Sequence, residues 1–167
     1  MHLHCPDALQ NAFVVFVSNE KRAVPLWRQR AGRTEDKLVI WDYHVVLLHS
    51  HDGRYLVYDL DSDLPFPTYF HKYVTETFRT DHILKPEYHR CFRVIPGISF
   101  LQDFSSDRSH MKKDGVWIKS PPEYPPIFEP ERGNNLEEFI SMNPGIPRGE
   151  ILSLPDLVKK FHSFTTS

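Results

Sequence analysis

The chain has 167 residues, 40% apolar and 13% aromatic, with 20 basic against 22 acidic residues and a formal net charge of −2. That size and composition fit one globular domain spanning 1–167 and exclude a disordered tail. The near-neutral balance argues against nucleic acid as the main partner, and no run approaches the ~18 consecutive apolar residues that cross a membrane as a helix.

The opening stretch, MHLHCPDALQ, lacks a basic segment followed by an apolar one, so no secretory leader is expected. Cys5 and Cys91 lie far apart and form no CxxC, a usage that fits a reducing, intracellular compartment. AFVVFVS (12–18) is a β-branched and aromatic run that predicts a strand buried on both faces. NEKRAVPLWRQRAGRTEDK turns polar, with Pro25 and Gly32 punctuating a loop or short edge strand. LVIWDYHVVLLHS and RYLVYDL then predict a β-hairpin, because Asp52-Gly53 between them is the strongest short-range turn signal. LPFP (64–67) ends the second strand, since proline cannot donate to a ladder.

TYFHKYVTETFR (68–79) spaces Tyr69, Tyr73 and Phe78 helically, with Phe70 and Val74 four apart. CFRVI (91–95) predicts a strand closed by Pro96-Gly97, and ISFLQDF a short helix. The stretch 107–133 is loop-dominated and proline-rich; it holds the polar cluster Asp107, Arg108, Ser109 and His110 and the segment SPPEYPPIFEP. NLEEFISM and LPDLVKKFHSF predict two further helices, the last opened by Ser153 with Asp156 three residues on. Antiparallel strands flanked by helices give an α+β class.

The hairpin carries the chemistry. With Asp52 and Gly53 at the centre of a two-residue turn, His51 faces Arg54 and paired numbers sum to 105. His44 and Asp61 are then opposite one another, as are Val46 and Asp59, and all four project to one side. His44 and Asp59 become diagonal neighbours roughly 7–8 Å apart at Cα, within reach of a His–carboxylate hydrogen bond. Such a pair orients one imidazole nitrogen and leaves the other free as a general base. Spacing alone favours a strand that simply ends in polar residues, with His44 a satisfied edge histidine.

VFVSNEKRAVPLWRQ, VIWDYHVVLLH, YDLDSDLPFP, FRVIPG, FSSDRSHM, PPEYPPI and FISMNPG, in this order, resemble the protein N-terminal glutamine amidohydrolase family. The resemblance implies an enzyme that deamidates the side chain of an N-terminal glutamine on proteins and peptides, releasing ammonia in the N-degron branch of protein degradation. It implies an α–β–α sandwich around a mainly antiparallel sheet, with a papain- and transglutaminase-like Cys hydrolase core. It also implies a monomer in the cytosol and nucleus, without metal or organic cofactor. Its Cys–His–Asp triad maps the histidine of WDYHVV onto His44 and the first aspartate of YDLD onto Asp59. A free α-amino group needs an acceptor, and Asp42, beside His44 in the motif, is the candidate.

The chain departs from the family at the nucleophile. The family's cysteine opens a helix upstream of the VFVSNE block, where this sequence holds only Cys5, in the unmatched context HLHCPDAL. The expectation is a shortened family member whose turnover is impaired. The alternative is a non-catalytic protein that keeps the fold and binds N-terminal Gln peptides or another partner. His2, His4 and Cys5 are read as incidental, not as a metal site, and Cys91 as a small core residue.

Overall fold

In a computed structural model the chain is described at residues 10–106, 112–113, 116–117 and 133–162. The elements in order are β1 (Ala12–Ser18), β2 (Val24–Leu26), β3 (Val39–Trp41), β4 (His44–His51), β5 (Arg54–Tyr58) and β6 (Thr68–Tyr69). There follow α1 (Phe70–Tyr73), a π-helical turn (Val74–Phe78), two 3-10 turns (Asp81–Ile83 and Pro86–Tyr88), β7 (Cys91–Pro96) and α2 (Gly97–Asp103). β8 (Lys112–Lys113), β9 (Val116–Trp117), α3 (Leu136–Ile140), β10 (Glu150–Leu152) and α4 (Leu154–Phe161) complete it. The class is α+β, as the sequence predicts.

Six strands form one antiparallel sheet in the order β10-β7-β1-β4-β5-β6. β1 sits at its centre because nearly every residue of AFVVFVS is apolar, and six of the seven are buried. The β4–β5 hairpin has the predicted register, with His51 opposite Arg54 and Leu47 opposite Tyr58. Asp52 and Gly53 both take positive φ, at 52° and 77°, the type I′ geometry whose twist matches that of the strands.

Directly paired residues share a face, so the register sorts the core into two layers. Val15, Val17, Val46, Leu48, Phe92 and Val94 face α1, the π-helical turn and α4, which contribute Phe70, Tyr73, Phe78, Leu154, Leu157 and Phe161. The opposite face presents Val14, Phe16 and Ile95 to Phe139 and Ile140 of α3, with Phe100 of α2 beside them. Helices therefore flank both faces of the sheet. Ser153 caps α4 as expected, its Oγ accepting from the Asp156 N–H at 3.3 Å.

Two expectations are corrected. LVIWDYHVVLLHS is two strands, not one, and they lie in different sheets: β3 pairs with β2, and β4 lies between β1 and β5. The break falls at Asp42–Tyr43, where Asp42 Oδ1 accepts from the Tyr43 N–H at 2.9 Å and Ser18 Oγ donates to the Asp42 carbonyl at 2.9 Å. These local bonds take the place of ladder partners. The 68–79 segment is not one helix either: Thr68–Tyr69 is a strand, and α1 widens into the π-helical turn that ends at Arg79 with φ 59°. The cluster 107–110 and the segment SPPEYPPIFEP lie outside the described residues.

A candidate His–Asp site at the end of the hairpin

His44 is the first residue of β4, facing Val17 across the ladder on the side of the core that holds Tyr73. Asp59 comes one residue after β5 ends. Between them, His44 Nε2 and Asp59 Oδ1 stand 2.9 Å apart, with side chains only 4% and 2% exposed. The break at Asp42 swings Trp41 back over this pair: its ring stacks on His44 with centroids 4.9 Å apart and an interplanar angle of 26°. Trp41 is itself fixed, donating from Nε1 to Gln29 Oε1 at 3.1 Å, and Gln29 is fully buried.

Asp59 is held from three directions. Oδ1 accepts from the Asp61 N–H at 2.9 Å as well as meeting His44, and Oδ2 accepts from the Tyr73 hydroxyl at 2.5 Å. Burial pushes this carboxyl toward the neutral form. The hydrogen bond and charge of His44, the Tyr73 hydroxyl and the Asp61 amide outweigh it, so the pKa lies below the ordinary 3.8. Burial first, and then the Asp59 charge, hold the Tyr73 phenol well above its ordinary value. It remains a hydrogen-bond donor.

These facts fix the imidazole. An ionised Asp59 only accepts, so Nε2 carries a proton and donates, and the tautomer this selects has its lone pair on Nδ1. Nδ1 points toward Asp61, whose Oδ2 is 4.0 Å away on a carboxylate 58% exposed. The arrangement is a buried, oriented imidazole with one nitrogen unpartnered among the described residues, a geometry that can take a proton from a thiol or a water and return it to a leaving group.

Of the other residues singled out from sequence, Asp42 stands apart from this centre. It is exposed, its carboxylate is turned onto the Tyr43 N–H, and its charge acts on Arg22 and Tyr43 on the opposite face. Cys91 pairs with Ser18, and its neighbour Phe92 pairs with Val17, the residue facing His44. Alternation therefore points the Cys91 thiol away from His44. Burial, then the charge of Asp81, also raises its pKa above the ordinary 9.0. Cys5 lies outside the described residues.

Donor atoms of His44, Asp59 and Asp61 lie within 4.8 Å of one another, a grouping that invites a cation. Yet Nε2 and both Asp59 oxygens are already engaged, which among the described residues leaves Nδ1 and the Asp61 carboxylate open, fewer ligands than a resident zinc takes from protein. Tyr73 and Gln29 were not legible as site residues. Tyr73 reads from sequence as one apolar helical position, and nothing in the spacing announces that its hydroxyl reaches Asp59.

A family model described as N-terminal glutamine amidase matches residues 2–161. A relative from Drosophila mojavensis, named protein N-terminal glutamine amidohydrolase, is 57% identical over 159 residues, which is 94% of this chain and 78% of that protein. The proteins of the same name from Drosophila grimshawi and Drosophila melanogaster are each 56% identical over the same shares.

Proposed function

The chain belongs to the N-terminal glutamine amidase family, and from that premise we propose that His44 and Asp59 form the proton-handling half of a cysteine-dependent deamidation of N-terminal glutamine. The observation that carries this reading is the buried 2.9 Å His44–Asp59 contact, which leaves Nδ1 open. The α+β sandwich is read as that of a Cys hydrolase, and the substrate as a protein or peptide that begins with Gln.

The chemistry runs in two stages. A thiol gives its proton to His44 Nδ1, and the thiolate adds to the side-chain amide carbon. His44 returns that proton to the amide nitrogen, the C–N bond breaks and ammonia leaves, with a thioester behind it. Water then loses a proton to Nδ1 and adds to the thioester. Collapse expels the thiolate and frees an N-terminal glutamate. Through both stages Asp59 keeps the Nε2–H tautomer and steadies the imidazolium, and Tyr73 and the Asp61 amide keep Asp59 ionised. Trp41 screens the Nε2–Asp59 bond from water by covering the ring.

A second reading is favoured by the thiols themselves. Cys91 faces away from His44, so without another thiol placed at Nδ1 the site is expected to hold its substrate with little turnover. A Gln-starting peptide followed by mass, with binding measured in parallel, separates the two. Conversion to the Glu peptide that is lost in Cys5→Ala and in His44→Ala assigns Cys5 as nucleophile. Binding without conversion, weakened in His44→Ala, makes this polypeptide a recognition module. Neither binding nor conversion refutes both.

A further inference from the structure

Deamidation confined to N-terminal glutamine requires a group that senses the free α-ammonium, because an internal glutamine offers the same amide. We propose that Asp61 is that group: its carboxylate anchors the substrate's α-ammonium beside His44 and so restricts the site to chain termini. The proposal rests on the deamidase reading and names the residue that would give it its specificity.

Four observations single out Asp61. Its Oδ2 lies 4.0 Å from Nδ1, the open nitrogen of His44, while its side chain is 58% exposed and reachable from solvent. Its main chain is fastened on both sides: the N–H donates to Asp59 Oδ1 at 2.9 Å, and the carbonyl accepts from the Arg30 N–H at 2.8 Å. The carboxylate is thereby aimed without being spent, for it pairs with no arginine or lysine among the described residues. Among the described residues it is also the one charged residue at the rim of a cavity of about 370 Å³, whose apolar walls Val45, Leu47, Tyr58 and Leu60 belong to the face of the hairpin opposite His44, so that the carboxylate stands at the hairpin's edge between the two faces.

The reach fits glutamine. Four bonds separate the α-nitrogen from the side-chain amide carbon, a span of about 5 Å when extended. An ammonium hydrogen-bonded to Asp61 thus sets that carbon within reach of the space at Nδ1, where the proton is exchanged. The same anchoring group turns away an N-acetylated terminus, which has no positive charge to offer and would leave the carboxylate unpaired. Asp42, the candidate from sequence, is exposed and already committed to the Tyr43 N–H.

The test measures binding of three peptides of otherwise identical sequence, starting with Gln, with N-acetyl-Gln and with Ala, to the 167-residue chain and to Asp61→Asn. Circular dichroism confirms that the variant is folded. The proposal expects the wild type to bind the Gln peptide and to discriminate against the acetylated one by roughly 10- to 100-fold, the worth of a charge-assisted hydrogen bond. In Asp61→Asn that preference collapses toward one. If the wild type discriminates and Asp61→Asn discriminates equally, the anchor lies elsewhere and the proposal fails while the deamidase reading stands. A uniform loss of binding to all three peptides in the variant also overturns it, since a carboxylate acting only through His44 leaves the free-to-acetylated ratio unchanged. A wild type that binds the Gln and Ala peptides equally overturns the underlying substrate reading, whatever Asp61 does.

Discussion

Replacing Asp59 by alanine and by asparagine separates the two things its carboxylate does. Alanine removes the partner of three donors at once: the buried His44 Nε2–H and Tyr73 hydroxyl and the partly buried Asp61 N–H. Each orphaned donor costs about 1–3 kcal/mol, so with some relief from water entry the expected loss is about 3–6 kcal/mol. That is a large share of the ~5–15 kcal/mol that stabilises an ordinary domain. Asparagine keeps the shape. Its Oδ1 still accepts from His44 and Asp61, and its Nδ2 donates to a Tyr73 oxygen that has turned to accept. What is lost is charge assistance, offset in part by no longer burying a carboxylate, for a net cost of about 1–2 kcal/mol. Urea unfolding at neutral pH, with unchanged slope and shifted midpoint, reads both. The reasoning is refuted if alanine proves no more destabilising than asparagine, because the three bonds would then not be what holds the site together.

Other consequences are open to equally direct measurement. Because the folded Asp59 pKa lies below the ordinary 3.8, its contribution is fully present above that value and is lost as pH falls through the folded one. Unfolding free energy should therefore drop below about pH 4, and less steeply in Asp59→Asn; equal slopes would contradict this. The Cys91 thiol, with a raised pKa and turned from His44, should react slowly with iodoacetamide at neutral pH, and Cys91→Ala should leave peptide binding intact. Fast, His44-dependent alkylation of Cys91 would overturn that assignment. Gly149 takes φ 59°, and a Cβ there would meet the Val94 carbonyl oxygen at 2.1 Å. Gly149→Ala should cost about 2–3 kcal/mol by prising β10 from β7, measured by the unfolding midpoint.

What the sequence disclosed and what it withheld divide along physical lines. The hairpin was legible to the residue, because Asp-Gly selects one turn and a period of two then leaves no freedom of register. That arithmetic allowed His44 and Asp59 to meet without requiring it, and the family resemblance singled the pair out; the β5 ladder in fact stops at Tyr58, one residue short of the carboxylate. The break at Asp42 was hidden, since a local side-chain bond overrode an otherwise continuous apolar run. With it was hidden the placement of Trp41 over the imidazole. Tyr73 escaped because its role depends on α1 passing beside the hairpin end, a tertiary fact that helical spacing cannot carry. Likewise β6 and β10, at two and three residues, are too short for any periodicity to register.

One atom is central to the site, the open Nδ1 of His44, and nitrogen-15 NMR of the imidazole addresses it without depending on turnover. The neutral ring should show a protonated Nε2 and a bare Nδ1, and a Gln-starting peptide should shift the His44 signals where its N-acetylated counterpart does not. In Asp59→Ala the tautomer preference should disappear. A ring protonated at Nδ1, or one indifferent to the peptide, would contradict the claim that His44 is the base of an N-terminal glutamine site.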